Sequence, residues 1–261
     1  MAGIIIMKDA NLSVMGKHTF SRTFTIRRDN MAMFRINVKK RARILTKAEF
    51  KRMLKVASVT REAIRNQLIL CLSYALGLRV TELACITIRD IMFSSGRLKS
   101  ELTLRADITK NAHVRTVPIS SKLLLEHLER YLEYRVEKDI GVLPVPTGEF
   151  RELSPDLPVI FSNRGGGFVL ATKKRVLKSG ATESYRCSDA LEQLFRDLYK
   201  SGGYTGASSH SGRRSYATHL IQGGADIEDV SHLLGHGSVD FTLPYLEPSK
   251  ESLRKAFEVA L

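Results

Sequence analysis

Apolar residues fall at helical spacing from about Ile44 onward. Thr46 and Glu49 stand three apart, as in a capping box, and Phe50, Met53, Leu54 and Ala57 then share one face, which predicts a first helix. A second is predicted over about 60–75, with Ile64, Leu68, Cys71, Leu72 and Ala75 inward and Gly77 as its C-cap. The period then changes to two. Leu102, Leu104, Ala106 and Ile108 alternate with other residues, and Val117 and Ile119 resume the pattern, so this stretch reads as a hairpin with Lys110 at or beside its turn. Leu124, Leu128, Tyr131, Leu132 and Arg135 mark the inner face of an amphipathic helix. Residues 139–158 hold four of the seven prolines and read as a long loop. A short strand at Val159, Ile160 and Phe161 and a glycine turn at 165–167 should follow. Leu191, Leu194, Phe195 and Leu198 predict a helix after Ser188. Three more are predicted at about 210–222, 226–234 and 249–260, with Gly223, Gly224 and Gly235 as stops. The expected class is α+β, mainly α-helical, with a small antiparallel sheet.

Composition adds a partner to this outline. The 261 residues, 43% of them apolar, suffice for one large core or one domain with an appendage. Lys and Arg number 41 against 27 acidic residues, a formal charge of +14. Such an excess favours a polyanion, because each neutralised phosphate releases condensed counterions, but it does not separate DNA from RNA or an anionic membrane. The longest nearly apolar run, 68–78, is too short to span a bilayer, and 3–7 is too short for a signal-peptide core. Cys71, Cys85 and Cys187 are odd in number and widely spaced, which suggests reduced thiols in a cytoplasmic protein. The charge is uneven: residues 1–55 carry 14 Lys or Arg and three acids. With Phe20, Arg22, Phe24 and later Phe34, Ile36, Val38 in alternation, residues 1–43 read as a basic N-terminal arm. A solvated tail, a DNA-contacting arm and a partner-binding strand all fit that pattern.

The candidate chemistry lies in four short stretches. Ser-His-Ser-Gly-Arg-Arg at 209–214 places His210 and Arg213 three apart at a predicted helix start, where the backbone adds its own positive end toward an anion. Leu-Leu-Gly-His at 233–236 ends in His236, and Tyr245 follows nine positions later. Upstream, Gly-Leu-Arg-Val-Thr-Glu-Leu at 77–83 supplies Arg79 and Glu82, and the run from Asp107 to Ile119 contains Lys110. Arginine suits a phosphodiester because its planar fork binds two oxygens and never deprotonates. A phenol of ordinary pKa near ~10 needs a base or cations close by to act as a nucleophile. Singly, each signal has a plainer reading: a surface pair, an arginine after a C-cap, one lysine among many, a half-buried aromatic. Other chemistries find less support. Neither glycine cluster precedes Lys-Ser or Lys-Thr, so there is no P-loop. No Gly-x-Ser-x-Gly elbow or paired-carboxylate cluster is present. His232 and His236 are four apart, but no Glu follows His232 and Gly235 interrupts the helix, which argues against zinc.

In the order Arg, Lys, His-x-x-Arg, His, Tyr, these boxes resemble the tyrosine recombinase (phage integrase) family. The resemblance covers roughly 44–261 and implies a catalytic domain there. It implies a DNA strand transferase without metal, ATP or other cofactor, with Arg79, Lys110, His210, Arg213, His236 and Tyr245 as catalytic residues and Glu82 supporting Arg79 from behind. Tyr245 would attack the scissile phosphate and leave a 3′-phosphotyrosyl bond, and Lys110 would protonate the 5′ oxygen. The partner implied is double-stranded DNA. A homotetramer on paired sites is implied too, joined through the 249–260 helix, whose Leu253, Ala256, Phe257 and Ala260 could otherwise pack on their own core. An accessory directionality factor is compatible with that scheme, which runs integration, excision or inversion. Most members place a helical core-binding domain before the catalytic one, so this chain resembles the short forms. Two other readings stay open: a type IB topoisomerase-like enzyme that nicks and reseals, and a DNA-binding regulator with a vestigial site.

Overall fold

The helix Ala63–Leu76 is apolar around most of its circumference, and ten of its fourteen residues are buried. In the computed structural model, which describes residues 41–109, 112–177 and 180–243, this helix (α2) is the central post. Preceding it, α1 (Lys47–Ala57) starts on the expected capping box: Glu49 N–H donates to Thr46 Oγ1 at 3.2 Å and Thr46 N–H to Glu49 Oε2 at 2.9 Å. Gly77 ends α2 with φ +62°, a left-handed turn, and a Cβ there would lie 2.6 Å from the Tyr216 ring. The chain restarts at once as α3 (Val80–Cys85) and α4 (Ile88–Ile91).

The predicted hairpin is present as β1 (Glu101–Leu104) and β2 (Arg115–Pro118), antiparallel, with Leu102 opposite Val117 and both fully buried. Its period-2 pattern has the inward positions Leu102, Leu104, Arg115 and Val117, so an arginine occupies a core-facing slot. The amphipathic helix α5 (Lys122–Glu137) packs on α2 with Leu124, Leu128, Tyr131, Leu132 and Arg135 buried. The segment 139–158 is a loop with one 3-10 turn, Phe150–Glu152, held by Arg151 to Glu129.

Two elements differ from expectation. Residues 159–161 are not a strand. Arg135 Nη1 donates to the carbonyls of Pro158 and Val159 at 2.9 and 3.1 Å, and Tyr131 Oη accepts from Phe161 N–H at 3.1 Å. Side chains from α5 thus take the backbone groups a neighbouring strand would use, leaving isolated bridges from Pro158 to Thr87 and from Phe161 to Gly167. An unforeseen second hairpin follows, β3 (Ala171–Val176) and β4 (Thr182–Cys187). Helices α6 (Asp189–Ser201), α7 (Ser211–Gln222) and α8 (Ile227–Leu234) complete the described fold. The 249–260 helix lies outside the described residues, as does the 1–43 arm apart from its last residues. Among the described residues no helix is long and apolar enough to cross a membrane.

Helix α7 crosses α2 at very close range. A Cβ on Gly212 would meet Ser73 Oγ at 2.3 Å and the Ser73 carbonyl carbon at 2.9 Å. Gly212→Ala should therefore push α7 off α2 and cost about 1–3 kcal/mol in denaturant unfolding. A variant as stable as the parent would show that the two backbones do not depend on this approach.

Candidate active site

Arg79 enters the site because Gly77 stops α2 and turns the chain. Its backbone N–H donates to Glu82 Oε2 at 2.7 Å and its Nη1 to Glu82 Oε1 at 2.9 Å. Glu82 is fully buried one turn further on. From β2, the buried Arg115 grips the same carboxylate with both Nη atoms at 2.7 Å. Burial pushes the Glu82 carboxyl upward. The hydrogen bonds and charge of Arg115, then the charges of Arg79 and Arg213, outweigh that and bring it down to about 2.

The C-terminal end of α8 supplies the second set of partners. Its last two carbonyls and that of its C-cap, Gly235, go to three different arginines. Leu233 O accepts from Arg115 Nε at 2.9 Å, Leu234 O from Arg213 Nη2, and Gly235 O from Arg79 Nη2 at 3.4 Å. These are orphan acceptors at the negative end of a helix, so cations suit them on two counts. Gly235 makes this geometry by closing α8 with φ +62°. Arg213, at the third position of α7, also donates from Nη1 to Gly77 O at 2.7 Å, so it joins the ends of α2 and α8. His236 follows directly. Its Nε2 lies 3.2 Å from Arg213 Nη2 and its Nδ1 2.8 Å from Thr242 Oγ1. Guanidinium only donates, which assigns Nε2 as acceptor and places the proton on Nδ1. Desolvation first, then Arg213, Arg79 and Arg115, push the His236 pKa down to about 4.

His210 is the N-cap residue of α7 and is exposed toward the same space, its Nδ1 3.2 Å from Ser209 Oγ. Desolvation lowers its pKa, Glu192 opposes the shift, and Arg213 and Arg79 add to it. A cavity of about 860 Å³ is lined by Arg79, His210, Arg213 and His236 together, with Thr109 and His113 from the β1–β2 connection. Four of the residues singled out in the sequence thus meet at one cavity and Glu82 lies beneath it. Lys110 and Tyr245 lie outside the described residues. Chemically, this is a concave cationic surface with two neutral imidazoles, suited to a tetrahedral anion. Among the described residues one cluster has metal-ligating types, Cys187, Asp189 and Glu192, at the cavity rim, but Asp189 is already paired with Lys173.

Arg115 is the residue that sequence reasoning missed. Its signal was present: an arginine at an inward position of an alternating strand, which only a buried anion could satisfy. Arg115→Met should strip the buried Glu82 carboxylate of two donors and cost about 3–5 kcal/mol of stability. Adding Glu82→Gln should restore at least half of it in urea melts. A single-variant loss below about 1 kcal/mol would remove Arg115 as the anchor. The His236 shift carries a pH dependence. Its pKa is lowered on folding from an ordinary 6.5, so the unfolded chain binds the proton first. The stability it contributes is complete above 6.5 and is lost as pH falls toward 4. An NMR titration of the imidazole should show a midpoint near 4, and a midpoint at or above 6 would contradict the desolvation and the three neighbouring arginines as its cause.

Comparison with known proteins identifies the family and the fold. The profile of the Phage integrase family matches residues 43–252. Tyrosine recombinase XerA of Pyrococcus horikoshii is 31% identical over 216 residues, 83% of this chain and 60% of the relative. Tyrosine recombinase XerC of Bifidobacterium longum is 30% identical over 202 residues, 77% of this chain and 48% of that protein. The chain therefore spans about half to three fifths of the length of these relatives. Among solved structures, XerA recombinase superposes with a TM-score of 0.59 at 23% identity, covering 84% of this chain and 65% of the other. XerH bound to its palindromic difH substrate, a post-cleavage complex, gives 0.56 at 18% identity, covering 83% and 52%. By the extent of the family match and by its fold, the chain belongs to the phage integrase family of tyrosine recombinases and carries that family's catalytic domain.

Proposed function

We propose that this chain is a site-specific DNA recombinase that cleaves and rejoins strands through a 3′-phosphotyrosyl bond on Tyr245. The observation that carries the reading is the convergence of Arg79, Arg213, His210 and His236 on one cavity, with the arginines fixed from behind by Glu82 and the end of α8. Such preorganised donors can stabilise charge as it develops on non-bridging oxygens without reorganising at the moment of reaction.

In this scheme Arg79 and Arg213 hold the scissile phosphate. The Tyr245 oxygen attacks phosphorus in line, and the bond to the 5′ oxygen breaks. His210 accepts the phenolic proton, directly or through water, and Lys110 delivers a proton to the leaving 5′ oxygen. His236 stays neutral at physiological pH and hydrogen-bonds the phosphate. Donating to the phosphate needs the proton on Nε2, so in the DNA-bound state Arg213 Nη2 leaves Nε2 for a phosphate oxygen and the Thr242 hydroxyl donates to Nδ1. One phosphodiester replaces another, and a free 5′-hydroxyl reverses the sequence on the same or a new strand. The partner is duplex DNA in the cytoplasm, engaged as a tetramer on paired sites through residues 249–260, with residues 1–43 as an additional basic contact.

Covalent trapping tests this. Protein incubated with fragmented genomic DNA and quenched in detergent should retain DNA, with EDTA making no difference. Tyr245→Phe should abolish the adduct. Arg79→Ala and Arg213→Ala should each cut adduct formation by about 10²-fold or more while leaving DNA affinity within a few fold. Equal losses in cleavage and binding would sink their role as transition-state clamps. Adducts that gather at a repeated sequence fit the recombinase, and their flanks distinguish integration, excision and inversion. Scattered adducts point to a topoisomerase-like enzyme, and binding without any adduct to a regulator.

A further inference from the structure

The β3–β4 ribbon is unusual in having no inside. Nine of its twelve strand residues are exposed, so neither face is packed on the core over its length. A two-stranded hairpin with both faces in water is marginal by itself. This one is fixed at its root. Thr81 Oγ1 on α3 donates to Arg186 O at 3.3 Å, and Arg186 Nη2 donates to Asp107 O at 2.5 Å. The ribbon also forms one wall of the cavity, with Thr172, Ser184 and Arg186 from one face and Arg175, Glu183 and Tyr185 from the other.

Its two faces differ in charge. Directly paired residues of an antiparallel ribbon share a face. Lys173 opposite Tyr185 and Arg175 opposite Glu183 make one face, and there Lys173 pairs with Asp189 and Arg175 with Glu183 at 2.8 Å from Nε. Thr172 opposite Arg186 and Lys174 opposite Ser184 make the other. With Val176 opposite Thr182 completing it, that second face has two cations, three hydroxyls and one valine with no carboxylate, and among the described residues Lys174 has no ion pair. Cations interleaved with hydroxyl donors are the usual set for a nucleic-acid backbone and groove edge. A two-stranded ribbon also fits the width of a major groove. Six residues extend roughly 20 Å, and that is about six base-pair steps at ~3.4 Å each.

Resting on the recombinase reading, we propose that the β3–β4 ribbon lies along duplex DNA beside the scissile phosphate. Its Thr172, Lys174, Ser184 and Arg186 face meets the groove and backbone, and on the opposite face the Lys173 and Arg175 charges are already paired with Asp189 and Glu183. The ribbon is then the part of the domain that sets contact with the flanking base pairs, next to a cavity whose own groups see only the phosphate.

The two neighbouring lysines give the test its internal control. Affinity of the full chain for a fluorescein-labelled mixed-sequence duplex is measured across about 50 to 200 mM salt. Lys174→Ala should raise Kd several-fold and flatten the log–log salt slope by about 0.9, one phosphate contact. Lys173→Ala removes the same charge from the other face and should leave the slope unchanged. Hydroxyl-radical footprints on the duplex recovered by trapping should lose protection on one side of the cleavage point with Lys174→Ala only. Equal effects of the two substitutions would mean diffuse attraction and overturn the assignment. Unchanged binding, or lost self-association with DNA affinity intact, would also overturn it, the latter making the ribbon a protein interface. Wild-type chain that forms no Tyr245 adduct would defeat the strand-transfer reading alone, and the salt slopes would still decide the ribbon.

Discussion

A fully buried carboxylate among arginines governs the architecture of this domain. Glu82 accepts from Arg115 twice and from Arg79 twice, once through the backbone and once through the guanidinium. An isolated carboxylate in that position would protonate instead of staying charged. Here its charge persists because β2 and the start of α3 bring donors to it, and in turn it permits cations to crowd where they would repel. The end of α8 does the same work with partial charges, giving one carbonyl to each of three arginines. Remove either source of negative potential and the guanidinium groups lose the reason to point where they do.

The apolar core makes that electrostatic arrangement geometrically possible. Arg213 reaches both Gly77 O and Leu234 O only because α7 lies almost against α2, an approach that Gly212 and Ser73 permit. Gly77 and Gly235 each end a helix in a left-handed turn, exposing carbonyls toward arginines instead of continuing the helix. Packing thus decides distances and ionic contacts decide orientation. The cavity inherits both, presenting side chains whose positions are set from behind.

Much of this was legible in the residue order. The capping box at Thr46 and Glu49, the buried stripe of α2, the β1–β2 alternation and the α5 face each bury one side, and a buried side imposes a period. His210, Arg213, His236 and Arg79 were legible from motif spacing, and the structure brings them to one cavity. What escaped has a common cause. The β3–β4 ribbon has no buried face, so Thr-Lys-Lys-Arg carries no period-2 signal. At 159–161 the apolar run suggested a strand, but Arg135 and Tyr131 satisfy its backbone from 23 to 30 residues away in sequence. Arg115 read as one more basic residue because its partner, Glu82, lies 33 positions earlier. Long-range polar satisfaction leaves no local pattern.

Thr242 is fully buried and holds His236 by its hydroxyl, three residues before Tyr245. That hydroxyl makes Thr242 a latch on the imidazole. While it stays in place, the imidazole keeps its Nδ1 partner. Any pull that drew Thr242 out of its buried seat would release the Nδ1 side of His236 at the same time. A displacement that starts in the backbone after α8 is thereby felt at the cavity through one hydroxyl.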